Sequence, residues 1–299
     1  MPNMENYFAY ESYQWEAASQ ILVFGFACMI AGLVYFLATA HMVAPKYRMS
    51  SYLSGVVMVS AALILYNQSQ SWDNNFVYDA EAAKFVATAS LGAEAQGQTF
   101  SNGYRYLNWA IDVPMLLIQI LFVVPLAAGR KAFPLAVKFA VFGTLMIGFS
   151  YVAQFFEHGF NPAAPDATAK TLFWVFYLLG WLAYFPILYY IYTGVFKGID
   201  DRLSPRAAKL TKGIWILFLV SWTIYGFVIA IPAVWWDASG AVWRQYLFTI
   251  VDVTSKVIYG AMLGQVAMIR SAEDGYEPAV KSMNMLGGTK DEAPASASA

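Results

Sequence analysis

The sequence predicts an all-α membrane protein, a bundle of seven transmembrane helices, and three observations carry that expectation. Of its 299 residues 59% are hydrophobic and only 12% are charged, roughly half the charged share of a soluble domain. The apolar residues gather into seven stretches, at about 18–40, 50–71, 104–127, 134–157, 170–194, 206–231 and 241–269. Each is close to or above the ~20 residues that cross a hydrocarbon core as a helix. None alternates with period two, so a membrane β-barrel is not expected.

The basic residues give an orientation. The chain has no Lys or Arg before Lys46. Lys46 and Arg48 follow the first stretch, Arg130, Lys131 and Lys138 the third, and Lys197, Arg202, Arg206, Lys209 and Lys212 the fifth. The intervening connections hold only Lys84, Lys170 and Arg244. Positive charge stays on the cytoplasmic side, which puts the N-terminus outside and the C-terminus in the cytoplasm.

Outside the stretches the chain divides simply. Residues 1–17 are an acidic, aromatic extracellular segment able to form a short helix, without the positive start of a signal peptide. Residues 18–271 are the seven-helix domain. Residues 272–299, ending in DEAPASASA, are expected to be a disordered cytoplasmic tail. The long connection at about 72–103 is expected to carry a small hairpin lid. Ser204 and Pro205 read as an N-cap and a first helical residue.

Composition also excludes function classes. The net charge of −1 offers nothing to a nucleic acid, and the single Cys28 rules out disulfide frameworks and multi-cysteine metal sites. Cys28 reads as packing, and His41 and His158 read as residues at span boundaries.

The chemistry lies in the ionisable residues inside the spans, each of which costs about 2.5–3.5 kcal/mol to insert. In the seventh stretch, TIVDVTSKVIYG, Asp252 and Lys256 are four residues apart and share a helix face. They read either as an ion pair that lets the helix insert or as a site for covalent attachment, since a buried lysine is a suitable Schiff-base nucleophile. In the third, RYLNWAIDVPMLLIQ, Arg105, Asn108, Asp112 and Gln119 fall within about 60° of arc and span about 21 Å. A packing seam explains the amides but not a carboxylate and a guanidinium on one stripe. Together the two helices supply two carboxylates and two cations that can compensate one another.

RYLNWAIDVP in the third stretch, SWTIYG in the sixth and DVTSK in the seventh resemble the microbial (type 1) rhodopsins over nearly the whole chain. The triad Asn108, Asp112 and Gln119, with SGVVMVSA, QFFE and ENYF elsewhere, resembles the sodium-pumping subgroup. The resemblance implies all-trans retinal as a Schiff base on Lys256, with Asp112 as counterion and proton acceptor and Asp252 as second counterion. It implies a light-driven pump, not an enzyme, moving sodium outward across a bacterial plasma (inner) membrane, with the proton as alternative cargo. Sodium would pause near Asn108 and Asp252. Gln119, Ser51 and Gly264 would line the cytoplasmic mouth, and Arg105 would close the extracellular side. Ser60 is similar to a serine that hydrogen-bonds the counterion, and otherwise reads as helix packing.

Trp109, Trp222, Tyr225 and Gly226 fall at the retinal-pocket positions of that family. Glu5, Glu157 and Arg244 resemble an outer exit cluster, where an ion binds between protomers or near the lid; Glu157 and Arg244 read equally as helix-end charges. Partners by the same resemblance are membrane lipid and further copies of the chain, as a pentamer. Three positions depart from the pattern: Gly226 where proline is usual, Ser51 where a relative has asparagine, and Gln98 where relatives carry an acid. Two other readings share the fold, an outward proton pump and a photosensor. A proton pump similar to bacteriorhodopsin would carry carboxylates at Asn108 and Gln119, and a photosensor would need an output partner. A chloride pump is disfavoured by Asp112, and a retinal-free transporter is the remaining alternative.

Overall fold

A computed structural model of the chain describes residues 3–88 and 99–285. Among these residues seven helices are long and apolar enough to cross a bilayer. They are α1 (Ser12–Thr39), α2 (Met49–Asn75), α3 (Gly103–Val123), α4 (Ala132–Ala153), α5 (Ala167–Ile191), α6 (Pro205–Ile229) and α7 (Ala238–Glu273). The chain is therefore a multi-pass membrane protein.

Local chemistry starts four of these helices. Ser204 caps α6 by accepting from the Ala207 N–H, with Pro205 in the first turn. Asp166 caps α5 through the Thr168 and Ala169 N–H groups, and Asp237 caps α7 through Gly240. Glu11 and Gln14 form a reciprocal capping box on α1, so that helix begins at Ser12, earlier than the hydropathy boundary at 18.

The burial pattern suits a lipid solvent. Val34, Leu182 and Phe227 point outward, while Arg105, Asp112, Asp252 and Lys256 are almost completely buried. Around the bundle, α1 packs on α2 and α7, α2 on α3, α3 on α4, α4 on α5, and α6 on α7. Between α5 and α6 the contact runs through large rings, Trp181 against Phe227 and Tyr192 against Trp215.

After α2 the chain forms an antiparallel hairpin, β1 (Phe76–Asp79) and β2 (Lys84–Ala87), in the register Phe76↔Ala87. Asp79 closes its turn by accepting from the Glu81 and Ala82 N–H groups. Tyr10 pairs with the backbone of Phe85, and the Trp15 ring stacks on the Phe85 ring with centroids 4.3 Å apart. The hairpin is thereby fastened to the start of α1. Its continuation, including Gln98, lies outside the described residues.

The segment from 272 is not a disordered tail over its described length. After α7 the chain turns and forms α8 (Glu277–Met285), with Ala279 and Met283 buried. Tyr276 anchors the turn, accepting from Arg48 and donating to the His41 carbonyl. Asp274 takes Lys46 at 2.9 Å and the Tyr47 hydroxyl at 2.8 Å. Hydropathy misses α8 because only two of its side chains are buried. Residues 286–299 lie outside the described part.

Candidate functional site

Lys256 sits in α7 where the helix widens into a π segment, Val253–Ile258. Such wide turns occur mostly at functional positions, because they re-aim side chains within a continuous helix. The amine hydrogen-bonds Asp252, and Asp112 Oδ2 lies 3.9 Å away.

The two carboxylates differ in their surroundings. Asp252 is crowded with donors: Arg105 Nη1 at 3.0 Å, Trp109 Nε1 at 3.0 Å, the Tyr225 hydroxyl at 2.7 Å, and Lys256. These charge-assisted bonds hold it as an anion. Asp112 is fully buried, yet neither of its oxygens has a hydrogen-bond partner among the described residues. A buried unpaired carboxylate oxygen is costly and is relieved by a proton or another donor.

Asn108 is buried on the same face of α3 and donates to Ser60 at 2.6 Å. Ser60 thus accepts from the triad amide, and with Asn108 it is also a polar neighbour of the Asp112 carboxylate. Gln119 accepts from the Ser54 hydroxyl at 3.1 Å, and among the described residues its amide nitrogen makes no hydrogen bond of ordinary geometry. Ser51 is buried in the first turn of α2, and Gly264 faces open space where a Cβ would meet nothing within 4 Å. No hydrogen bond joins either of them to Gln119 among the described residues.

Toward the N-terminal end of the bundle, Arg105 Nη2 donates to Gln245 Oε1 and Thr249 Oγ1, each at 3.2 Å. Beyond it Glu5, Glu157 and Arg244 come together, all fully buried. Arg244 grips both oxygens of Glu157 and lies 3.5 Å from Glu5. Glu5 accepts from Asn102 at 2.9 Å and Gln245 at 2.8 Å. Burial pushes the Glu5 carboxyl above the usual range, while Arg244 pulls it the other way. Glu157 and Arg244 are thus partners in an interior cluster, not plain helix-end charges. Among the described residues no group of three His, Cys, Asp or Glu side chains is placed to hold a metal.

Beside Lys256 lies a cavity of about 660 Å³, counting the part open to the outside. Trp109, Trp222, Tyr225 and Gly226 all line it, with Leu116, Met146, Tyr184 and Trp181. Its apolar walls and the buried amine at its edge suit a small-molecule site. A single amine reaching an aromatic cavity fits a group such as retinal, which needs a lysine and a dry envelope. Gly226 lies against Trp181, and a Cβ added there would overlap that indole.

Sequence reasoning missed Ser54, Asn102, Gln245, Thr249, Ser255 and Tyr259. Ser255 shares the Tyr225 hydroxyl at 3.0 Å, and Tyr259 donates to the Leu116 carbonyl at 2.8 Å. Gln245 and Thr249 carried a usable signal. They precede Asp252 by seven and three residues, and so lie on its helix face.

The bacteriorhodopsin-like protein family matches residues 16–269. The green-light absorbing proteorhodopsin of Gamma-proteobacterium EBAC31A08 is 22% identical over 169 residues, covering 56% of this chain and 62% of that protein. The blue-light absorbing proteorhodopsin of Gamma-proteobacterium Hot 75m4 is 21% identical over 175 residues, with the same shares covered. The matches thus span about three fifths of the length of these relatives. Among solved structures, xanthorhodopsin, a light-driven ion pump with dual chromophore, superposes with a TM-score of 0.77 at 25% identity, covering 90% of this chain and 98% of that one. The light-driven proton pump of Coccomyxa subellipsoidea superposes with a TM-score of 0.60 at 14% identity, covering 84% and 96%, which is a likeness of fold alone. The family match over most of the chain agrees with the seven-helix bundle and its buried lysine, and the chain belongs to the bacteriorhodopsin-like family of microbial rhodopsins, proteins that bind retinal through a lysine.

Proposed function

We propose that this chain is a light-driven outward sodium pump that carries protons when sodium is absent. One observation supports the cargo above others. On the interior face of α3, Asp112 is the lone carboxylate, between the amides Asn108 and Gln119, and it stands 3.9 Å from Lys256 with no hydrogen bond of ordinary geometry among the described residues. A proton relay would use carboxylates at the flanking positions. Amides instead offer neutral oxygen ligands to a small hard cation.

All-trans retinal, when held by Lys256, would supply light absorption and a change in the direction of Lys256 Nζ. Asp112 then accepts the proton from Lys256 Nζ, relieving its unpaired oxygens. The move also opens a path. Two positive charges 4 Å apart repel by ~4 kcal/mol at an effective dielectric of 20, so a protonated nitrogen bars sodium and a neutral one does not. Sodium comes past Ser51, Gly264 and Gln119 and pauses near Asn108 and Asp252. Arg105 closes the other side until release through Glu5, Glu157 and Arg244. Return of the proton from Asp112 to Lys256 Nζ blocks backflow.

The loops' basic residues support an N-terminus outside and a C-terminus in the cytoplasm of a bacterial plasma membrane. The family resemblance supports assembly as a homo-oligomer, a pentamer. Fold does not choose the cargo, since a proton pump shares it.

The test is pH recording on illuminated cells in three salts, with and without protonophore. Sodium export predicts alkalinisation in sodium chloride that protonophore enhances, and acidification in potassium chloride. A proton pump acidifies in both, and protonophore abolishes the signal. A chloride pump alkalinises in both chlorides and falls silent in sulfate. Acidification in sodium chloride that protonophore removes refutes the sodium reading.

A further inference from the structure

The interior holds two charged clusters. The inner one is Lys256, Asp112, Asp252 and Arg105. The outer one is Glu5, Glu157 and Arg244. Between them stands the Phe248 ring, fully buried, with both guanidinium carbons, of Arg105 and of Arg244, 5.6 Å from its centroid. An apolar ring between two cations separates them without offering a polar route.

Gln245 supplies that route. Its side chain is fully buried one turn before Thr249. Its Oε1 accepts from Arg105 Nη2 at 3.2 Å, and its Nε2 donates to Glu5 Oε1 at 2.8 Å and Asn102 Oδ1 at 3.1 Å. The partners settle which way the amide faces. Arginine only donates and an ionised carboxylate only accepts, so the oxygen must face Arg105 and the nitrogen must face Glu5. A flipped amide would lose both bonds. Arg105 in turn holds Asp252, the partner of Lys256.

We infer that Gln245 is a positioning residue that couples the two clusters: its oriented amide makes the place of Arg105, and through it Asp252, depend on the charge carried by Glu5. When Glu5 loses its negative charge, to a proton or a bound cation, its pull on Gln245 weakens. The amide is then free to turn, and Arg105 loses the acceptor that draws it away from Asp252. The release end of the path thereby reports to the lysine end. This rests on Lys256 carrying the chromophore but not on which ion is moved.

The experiment is a double-mutant cycle on the full chain supplied with retinal, read first as the dark visible absorption band. Glu5→Gln shifts the band in the parent. In a Gln245→Met background the same substitution shifts it by less than half as much, because the route is cut. Gln245→Glu is the second variant and guards against a poorly folding methionine variant. It keeps an acceptor for Arg105 and lacks the donor for Glu5, so it also suppresses the shift. Flash spectroscopy provides a kinetic readout. Return to the dark state slows about 5-fold or more in either variant, the lower range of inter-site coupling, while proton transfer to Asp112 changes by less than about half that factor. If Gln245 only fills space, both variants lower thermal stability and leave the Glu5→Gln shift at its parental size. That result, or recovery at the parental rate, overturns the inference. A missing visible band in the parent would instead overturn the assignment of Lys256, and a proton-only parent would overturn the cargo alone.

Discussion

Arg105 Nη1 lies 3.0 Å from Asp252 Oδ2, with both side chains buried in the middle of the helix bundle. The same carboxylate also holds Lys256. Asp252 is therefore the anion on which two buried cations depend. Removing one partner of a buried pair costs about 3–5 kcal/mol, because the other charge is left uncompensated. Asp252→Asn is expected to destabilise by that order. The measurement is the temperature at which the visible band bleaches, or the unfolding midpoint if no pigment forms. An unchanged midpoint would show that Arg105 finds another partner.

Lys256 is the amine that faces the cavity beside Trp109, Trp222 and Tyr225. Lys256→Ala supplied with retinal should stay colourless under conditions in which the parent develops a visible band. A band at the parental wavelength would place the attachment elsewhere.

Among the described residues Asp112 accepts no hydrogen bond of ordinary geometry, and it stands 3.9 Å from Lys256 Nζ. Asp112→Asn removes the proton acceptor and should abolish light-driven transport. It should also move absorption to the red, since a nearby anion stabilises the ground state of a cationic chromophore. Transport at the parental rate in illuminated cells would remove Asp112 from the mechanism.

Gly226 leaves room for the Trp181 indole, and a methyl group there would overlap it. Gly226→Ala should cost about 1–3 kcal/mol, the usual penalty for overfilling a packed interior. The absorption band should move as well, because Trp181 lines the cavity. Trp181→Phe in the same chain should recover part of the lost stability. Additive losses in the double variant would show that the two residues do not compete for space.

Glu5 is held above its ordinary value of 4.5, chiefly by burial and against the attraction of Arg244. Between pH 4.5 and the higher folded value the folded state therefore keeps a proton that the unfolded chain has lost, and above that value Glu5 is ionised in both. Stability from this group is full below pH 4.5 and declines as pH rises through the folded value. Glu5→Gln carries no such proton. Its unfolding temperature should gain on the parent between pH 4.5 and 7. A constant difference across that range would contradict the burial effect.

The number and approximate position of the seven spans were legible in the sequence because length and hydropathy determine what can span a bilayer. The burial of Lys256 and Asp112 together was legible for a related reason, as an ionisable residue within an apolar run must find a partner inside the bundle. The Ser204 cap was legible because its signal is local. What depends on the meeting of distant segments was not. Ser60 lies 48 positions before Asn108, and only the packing of α2 on α3 brings it to that amide and beside Asp112. Glu5 and Arg244 are separated by 239 positions, and nothing local distinguishes them from surface charges until the N-terminal segment folds back over α7. The helix α8 was hidden because it is held by Tyr276 on Arg48 and His41, bonds made by residues over 200 positions away. The sequence by itself determined which charges are carried into the membrane. The tertiary structure alone decided which of them are paired and which stay open to react, because hydrogen bonds reach only a few ångströms and depend on the register of one helix against another.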